Sequence, residues 1–500
     1  MLIISTSEEK SGLAGYTSRE FRRILHDYLK IVVPAINLKK DFDLNIEQKK
    51  DLQNTILIGT PENNPAIKHV IEEGFIEEPD HEQGYIIKCA PMPGKPKNWL
   101  FVVAGKEDVG TLYALRDIEH YHLEVFKPGP GGLLVEPFEK REKPAIEYRG
   151  HWTWGCNMPD KKAWIENMSK WKLNELIHWD NYLPKNGKEY VDFAHERGVR
   201  VVWGFGWGWM PFWNFDLPEE FDSGVGEGVE MCPSSDFNNE FFQREILKKI
   251  TEDYSPTGCD GIYFQAFTEC PKCECPKCNK KTMGELMLDF INSIVSLIKK
   301  DFPDLWISCG IHHDFGDYSY LKNLDNRCNL FWENCTSGTS VRGNNEDFGY
   351  ISKTIPYGHG YSETCPADPP YTENSLKQWM KSNAKQYEVE GGIRNHYKYM
   401  SFLQDWTRKF TEKPSDNKHG SMIADHSVFC RRTPFPLIAL AEAQWNPDSD
   451  TEFIVDHLLS FLGIKDKIKN TTETGEKLVD TMGMPPWVYD KAVEREGHSE

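Results

Sequence analysis

The residues best placed to do chemistry are carboxylates at the ends of apolar runs. The stretch Cys259-Asp260-Gly261-Ile262-Tyr263-Phe264-Gln265-Ala266-Phe267-Thr268-Glu269-Cys270 has the length and aromatic content of a buried strand, and it ends on an acid. A carboxyl group walled by Phe264, Ala266 and Phe267 is pushed toward its protonated form, because burial penalises the charge. Glu269 is therefore the first candidate for a catalytic residue, although a lone Glu at a strand end is more often a surface ion-pair group. Acid–base work also needs a second carboxyl that stays ionised. Glu333, which closes Leu330-Phe331-Trp332-Glu333, is the favoured partner, and Glu363 in Gly360-Tyr361-Ser362-Glu363 is held in reserve and otherwise counted as a binding group. Asp180, Asp425 and His312 follow further apolar runs and suit hydrogen bonding to a ligand's hydroxyls. For the two Asp residues, a cap or a structural ion pair explains each equally well. His312 and His313 are adjacent, so on a strand only one of them faces a given side. Arg149 and Arg342 suit an acidic ligand, but pairing with a structural carboxylate is the commoner use of Arg.

Directly after Glu269 comes Cys270-x-x-Cys273-x-Cys275-x-x-Cys278. Four thiolates this close together suit one tetrahedral structural Zn²⁺, while the single-residue gap strains such a site; two disulfides and four reduced thiols stay open as readings. Four protein ligands leave no position for a substrate, so a catalytic metal is not expected there. No His/Asp/Glu cluster with ligand spacing supports a metal-dependent lyase or isomerase, and catalysis is expected to need no cofactor. The chain has 16 Trp, gathered at strand ends: Trp152, Trp154, Trp179, Trp203, Trp207, Trp209, Trp213 and Trp332. Indole faces in a cleft are platforms for the apolar faces of sugar rings; in a core they fill volume. Trp152, Trp154 and Trp207 are taken as the binding platforms.

The composition narrows the partners. A formal charge of -19 without a basic stripe argues against nucleic acid as a partner. No stretch reaches the roughly 18 apolar residues of a membrane helix. Hydrophobic residues at 39% and charged ones at 27% are those of a soluble globular protein, and 500 residues exceed one ordinary core. No leader pattern opens the sequence, so the protein is expected to be cytoplasmic, or secreted or periplasmic after a leader has been removed. An odd count of 13 Cys leans toward a reducing compartment. The oligomeric state is left open.

Two kinds of architecture position these residues. Residues 1–140 alternate short strands and helices, as a small α/β domain does. Expected there are strands at Met1–Thr6, Thr55–Gly59, Gly84–Lys88 and Trp99–Ala104, with helices at Thr17–Leu29, capped by Thr17 or Ser18, and at Asn64–Glu73. The turn at Gly110 lacks the spacing of a dinucleotide fingerprint. Pro128–Gly132 and Pro137–Pro144 look like a linker. Residues 141–447 then repeat strand, loop and helix. The strands fall at Ile146–Trp154, Glu175–Asp180, Arg200–Phe205, the Glu269 stretch, Leu305–His312, Asn329–Glu333, Gly392–Tyr397 and Ser421–Phe429. Helices are expected at Lys161–Lys170, Lys188–Arg197, Asn239–Asp253, Met283–Lys300, Ser375–Tyr387 and Pro434–Ala443, with the irregular Thr336–Pro370 loop on the rim. Eight such pairs call for a (β/α)8 TIM barrel, whose chemistry sits at the strands' C-terminal ends. Residues 448–500 add a C-terminal helical extension.

The small α/β domain with Ile56-Leu57-Ile58-Gly59-Thr60 and Gly110-Thr111-Leu112-Tyr113-Ala114-Leu115-Arg116-Asp117-Ile118, followed by Tyr148-Arg149-Gly150-His151-Trp152-Thr153-Trp154 opening a barrel, resembles glycoside hydrolases. The likeness is to those with a β-hexosaminidase-like N-terminal domain: family 20 β-hexosaminidases, family 67 α-glucuronidases and their relatives. The Asp260-Gly261-Ile262 strand with its Cys-rich loop also resembles a family 163-type endo-acting enzyme. The resemblance covers about residues 1–445. It implies a glycosidase of an N-acetylhexosaminide- or uronic-acid-containing oligosaccharide or polysaccharide, with Glu269 in the place of the α-glucuronidase proton donor. Hexosaminidases carry an Asp-Glu pair there, and this chain has Thr268-Glu269. That departure argues against assistance by the substrate's acetamido group. The competing expectation is a carbohydrate-binding protein that keeps the barrel without hydrolysis.

Overall fold

The computed structural model describes residues 3–7, 11–30, 32, 35–38, 55–129, 132–152, 161–179, 183, 185–206, 215–265, 271–312, 323–333, 361–362, 396–411, 420–424 and 434–461. By its internal contacts the chain divides into two compact units, Met1–Pro144 with Ile165–Lys172 and Phe193–Val199, and Ala145–Trp164 with Leu173–Asp192 and Arg200–Glu500.

The first unit is built on a six-stranded mixed sheet. Its strands are β1 (Ile3–Ser7), β2 (Ala35–Leu38), β3 (Thr55–Gly59), β4 (Tyr85–Met92), β5 (Lys95–Gly105) and β8 (Phe138–Glu142), in the order β2-β1-β3-β5-β4-β8. A separate hairpin joins β6 (Phe126–Gly129) to β7 (Gly132–Val135). Parallel pairs need crossovers, and α1 (Gly12–Leu29) makes the one between β1 and β2. Helix α2 (Pro65–Glu72) follows β3, and α3 (Asp108–Tyr121) follows β5. Helix α2 starts where its sequence says it should: the Asn64 side chain accepts from the Ala66 N–H, with Pro65 in the first turn. Leu57, Ile67, Val70, Ile86, Leu100 and Val102 form the core on that side.

Two expectations for this region are corrected. Helix α1 begins at Gly12 behind Ser11, so Thr17 and Ser18 are buried inside it rather than capping it. The Thr17 hydroxyl is spent on the Leu13 carbonyl at 2.8 Å. The supposed linker at Pro137–Pro144 holds β8, which pairs antiparallel with β4. The free edge of β4 supplies unpaired backbone groups, and the alternating exposure of Phe138–Glu142 suits an edge strand. Its inward Lys140 reaches the buried Asp117 at 2.5 Å.

The second unit holds an eight-stranded sheet in which every recorded pair is parallel. The strands are β9 (Tyr148–Trp152), β10 (Glu175–Trp179), β11 (Arg200–Gly206), β12 (Gly261–Gln265), β13 (Trp306–His312), β14 (Asn329–Glu333), β15 (Tyr361–Ser362) and β16 (Gly420–Ala424). They lie side by side in chain order, except that β16 returns to pair with β9. The end strands β15 and β16 come within 8 Å of each other at Cα, so the sheet curls round. Between strands run α4 (Lys161–Lys170), α5 (Gly187–His195), α6 (Asp236–Lys249), α7 (Met283–Asp301) and α8 (His396–Thr411); α9 (Pro434–Trp445) and α10 (Thr451–Phe461) follow the last strand. Helix α7 carries a reciprocal cap, Thr282 on the Glu285 N–H and Glu285 on the Thr282 N–H. Consecutive residues such as Val201, Val202 and Trp203, or Ile262, Tyr263 and Phe264, are all buried, so both faces of the sheet are covered.

The seventh strand is where the sequence reading fails. It lies at Tyr361–Ser362, inside the stretch taken as irregular, while His396 and Tyr397 begin α8 rather than end a strand at Gly392–Tyr397. The helix expected at Ser375–Tyr387 lies outside the described residues.

Candidate functional site

The starts of the strands are fixed by buried polar groups. Arg149 on β9 is fully buried, donates to the Ile146 and Glu147 carbonyls at 2.6 and 3.0 Å, and stacks on Trp445 at 5.1 Å. That is a structural use, not the acidic-ligand contact the sequence left open. The Arg149 N–H donates to the Asn174 side chain at 2.7 Å, which joins the chain before β10 to β9. Asp260, just ahead of β12, accepts from the Val201 N–H at 2.7 Å, and Arg200 pairs with Glu175 at 2.6 Å. Gly150 is required by close approach: a Cβ there would lie 1.7 Å from the Glu175 carbonyl oxygen.

The opposite ends of the strands run in register. Ala424 pairs with Trp152 and Trp152 with Ile177; two residues on, Trp179 pairs with Gly204. Gly206 then pairs with Gln265, Gln265 with Gly310 and, again two residues on, His312 with Glu333. Paired residues share a face of a sheet, and so do residues two apart on one strand. Positions 152, 179, 206, 265, 312, 333 and 424 therefore occupy one face at the C-terminal edge. The other face belongs to the helices. There Trp203 packs on Tyr190 of α5 at 5.8 Å and on Tyr254 at 6.3 Å, and Phe205 stacks on Phe264 at 6.2 Å. On the shared face, β11 and β13 contribute Gly204, Gly206 and Gly310, positions without side-chain bulk.

Three expected site residues thus lie on one face by register: Trp152 at the end of β9, His312 at the end of β13 and Glu333 at the end of β14. Asp180, Trp207, Glu363 and Asp425 each directly follow a strand of the same sheet in sequence and lie outside the described residues, as do Trp154 and Glu269. Glu269 comes four residues after the end of β12. The expectation that Trp residues at strand ends line a cleft is corrected for one of them. Trp203 is 1% exposed, with its indole N–H donating to Thr257 at 2.9 Å, so it fills the core.

The Cys cluster is also different from the expected set. The thiols of Cys232, Cys273, Cys275 and Cys278 lie within 4.8 Å of one another. Cys270, the expected fourth member, lies outside the described residues. Cys232 comes from the loop after β11, some forty residues earlier in the chain, which spacing within the cluster motif alone does not reveal. Its neighbours Pro233 and Ser234 in Met231-Cys232-Pro233-Ser234 repeat the Cys-Pro pairing of the main cluster, the one local signal available. The backbone N–H of Cys278 donates to the Cys275 sulfur and pulls that thiol down to about 7, whereas burial pushes the Cys232 thiol up.

No protein-family profile matches the sequence, and no curated protein matches it. Solved structures do match. A β-N-acetylhexosaminidase from Bacteroides fragilis aligns over 97% of this chain and 94% of its own length, with a TM-score of 0.55 at 14% identity. The protein named CpGH84B aligns over 93% and 72% with a TM-score of 0.56 at 12% identity. A GH20 exo β-N-acetylglucosaminidase from Vibrio harveyi aligns over 97% and 75% with a TM-score of 0.54 at 11% identity. The chain has the fold of the hexosaminidase-like glycoside hydrolases.

Proposed function

We propose that the chain hydrolyses a glycosidic bond in an oligosaccharide or polysaccharide that contains an N-acetylhexosamine or a uronic acid. The observation that carries this reading is the shared register of the strand ends, which puts positions 152, 312 and 333 on one edge and one face of a parallel sheet. The curled sheet is read as a (β/α)8 barrel, in which that edge is where chemistry occurs. Glu269 acts as the acid that protonates the leaving oxygen, and Glu333 as the base or nucleophile. Glu333 ends β14 and Glu269 follows β12 by four residues in sequence, and only β13 lies between those two strands. Strands two apart in a sheet are about 10 Å apart, from which two Glu side chains can reach the roughly 5–9.5 Å separation that glycosidases use. Trp152, Trp154 and Trp207 serve as platforms for the sugar rings, and Asp180, His312, Glu363 and Asp425 as partners for hydroxyl groups. The reaction needs no cofactor. The substrate is a glycan and not a nucleic acid, and among the described residues no helix is long and apolar enough to cross a membrane.

The test is a panel of aryl glycosides with uronides and N-acetylhexosaminides side by side. Turnover of at least one by the wild-type chain is expected, and Glu269→Gln should lower kcat by about 10²–10⁴-fold while ligand binding is kept. A chain that binds glycans but turns over none would instead be a carbohydrate-binding protein on this fold.

A further inference from the structure

We propose that Cys232, Cys273, Cys275 and Cys278 bind one structural Zn²⁺ ion that ties the loop after β11 to the loop after β12. The sulfurs already have the spacing the ion requires. In a tetrahedral site with Zn–S bonds of about 2.3 Å, neighbouring sulfurs stand about 3.8 Å apart. Cys232 lies 3.7 Å from Cys275 and 3.8 Å from Cys278, and all four sulfurs fall within 4.8 Å of one another. A disulfide would need about 2.05 Å. Cys232, Cys273 and Cys278 are 3%, 1% and 0% exposed and Cys275 is half-buried, so three of the four ligands are shielded from water.

The surroundings are those of a thiolate site. Backbone N–H groups point at two of the sulfurs, Val225 to Cys273 at 3.3 Å and Cys278 to Cys275 at 3.4 Å. Such bonds stabilise sulfur that carries negative charge. The Cys275–Cys278 pair sits on a turn closed by the Asn279 N–H on the Cys275 carbonyl at 3.0 Å. Cys232 is held from behind by the fully buried Asn238, whose amide donates to the Cys232 and Asp222 carbonyls at 3.2 and 2.7 Å. The two loops also meet at the Glu274 N–H, which donates to the Val225 carbonyl at 2.8 Å. Gly226 makes that approach possible, with φ +128 and a position where a Cβ would come within 2.9 Å of the Val229 side chain and 3.5 Å of the Glu274 side chain.

The apolar support is small. Among the described residues the apolar side chains packed with the four Cys are Leu286 and Val229, a small area against which to order two loops by burial. Metal coordination supplies the missing free energy, as it does in small metal-stapled domains. On binding, the hydrated ion loses its waters and the thiols release their protons to solvent, leaving four Zn–S bonds and no open position. The site is therefore structural. It does not rest on the glycosidase reading, and it would hold if the chain had no hydrolytic activity.

The experiment uses the full chain purified with a thiol reductant and without chelator. Metal analysis should give about one zinc per chain, and X-ray absorption at the zinc edge about four sulfur neighbours near 2.3 Å. Cys232→Ser should lose most of the zinc, whereas Cys270→Ser should keep it. Wild-type chain that takes up no zinc at equilibrium with excess Zn²⁺, a disulfide mapped within the cluster by mass spectrometry, or zinc lost from Cys270→Ser and kept by Cys232→Ser would each overturn the proposal. The absorption measurement on wild-type chain decides the matter even if a variant fails to fold.

Discussion

At the scale of single residues, the most heavily constrained acid in the described chain is not at the proposed site. Asp117 on α3 is 1% exposed. Burial alone pushes its carboxyl up, but Lys172 at 2.6 Å and Lys140 at 2.5 Å outweigh that and hold it far below the usual carboxylate range. The Tyr85 hydroxyl adds a hydrogen bond at 2.5 Å. Removing the negative charge breaks the buried pair with Lys172, so Asp117→Asn should cost about 3–5 kcal/mol at neutral pH. The sign of its pH dependence follows from the depressed value. The stabilisation is complete above the unfolded carboxyl's pKa of about 4 and is lost as the pH falls below it. Thermal unfolding of both chains across the acid range checks this: the gap between wild type and variant should be widest near neutrality and narrow only below about pH 4. A gap that stays constant down to that range would refute the assignment. Asp117 was legible in the sequence only as part of a helix motif, because its partners lie on a strand and a loop that the chain brings together in three dimensions.

At the scale of elements, sequence patterns identified what local physics decides. Strand β14 and helices α2 and α7 stand within a residue of where apolar runs and capping residues put them. Strands β10 and β11 also match, because continuous apolar runs leave little freedom of register. The failures share a cause. Strand β8 is charged at four of its five positions and β15 has 2 described residues, so neither has an apolar signature; each is defined by the neighbour that offers it a free edge. Close backbone packing is likewise invisible to pattern. Gly150 reads as a loose position inside a strand, yet its missing side chain is what lets β9 and the Glu175 backbone meet. Gly150→Ala should destabilise the chain by about 3 kcal/mol or more, since a clash with backbone cannot be relieved by a rotamer change. The denaturation midpoint measures this, and an unchanged midpoint would show that β9 and β10 can separate at small cost.

At the scale of the whole molecule, the order of elements did more to reveal the fold than any single motif. Strand–helix alternation announced a parallel sheet, and a parallel sheet collects the C-terminal ends of all its strands on one edge. That is why residues as far apart as Trp152, His312 and Glu333 could be proposed together from sequence, and why their register places them on one face. The Cys cluster shows the converse: its spacing was legible, but its fourth member was not, because Cys232 reaches it through the fold.

The account stands or falls on whether the carboxyl groups at 269 and 333 serve one reaction. The direct measurement is kcat for Glu269→Gln, Glu333→Gln and the double variant on the best substrate of the glycoside panel. Groups that act as a unit are strongly non-additive. The double variant should therefore lose little more than the worse single variant, each of which falls by at least about 100-fold. Losses that multiply, or a single variant that keeps wild-type turnover, would show that the two residues do not flank one bond.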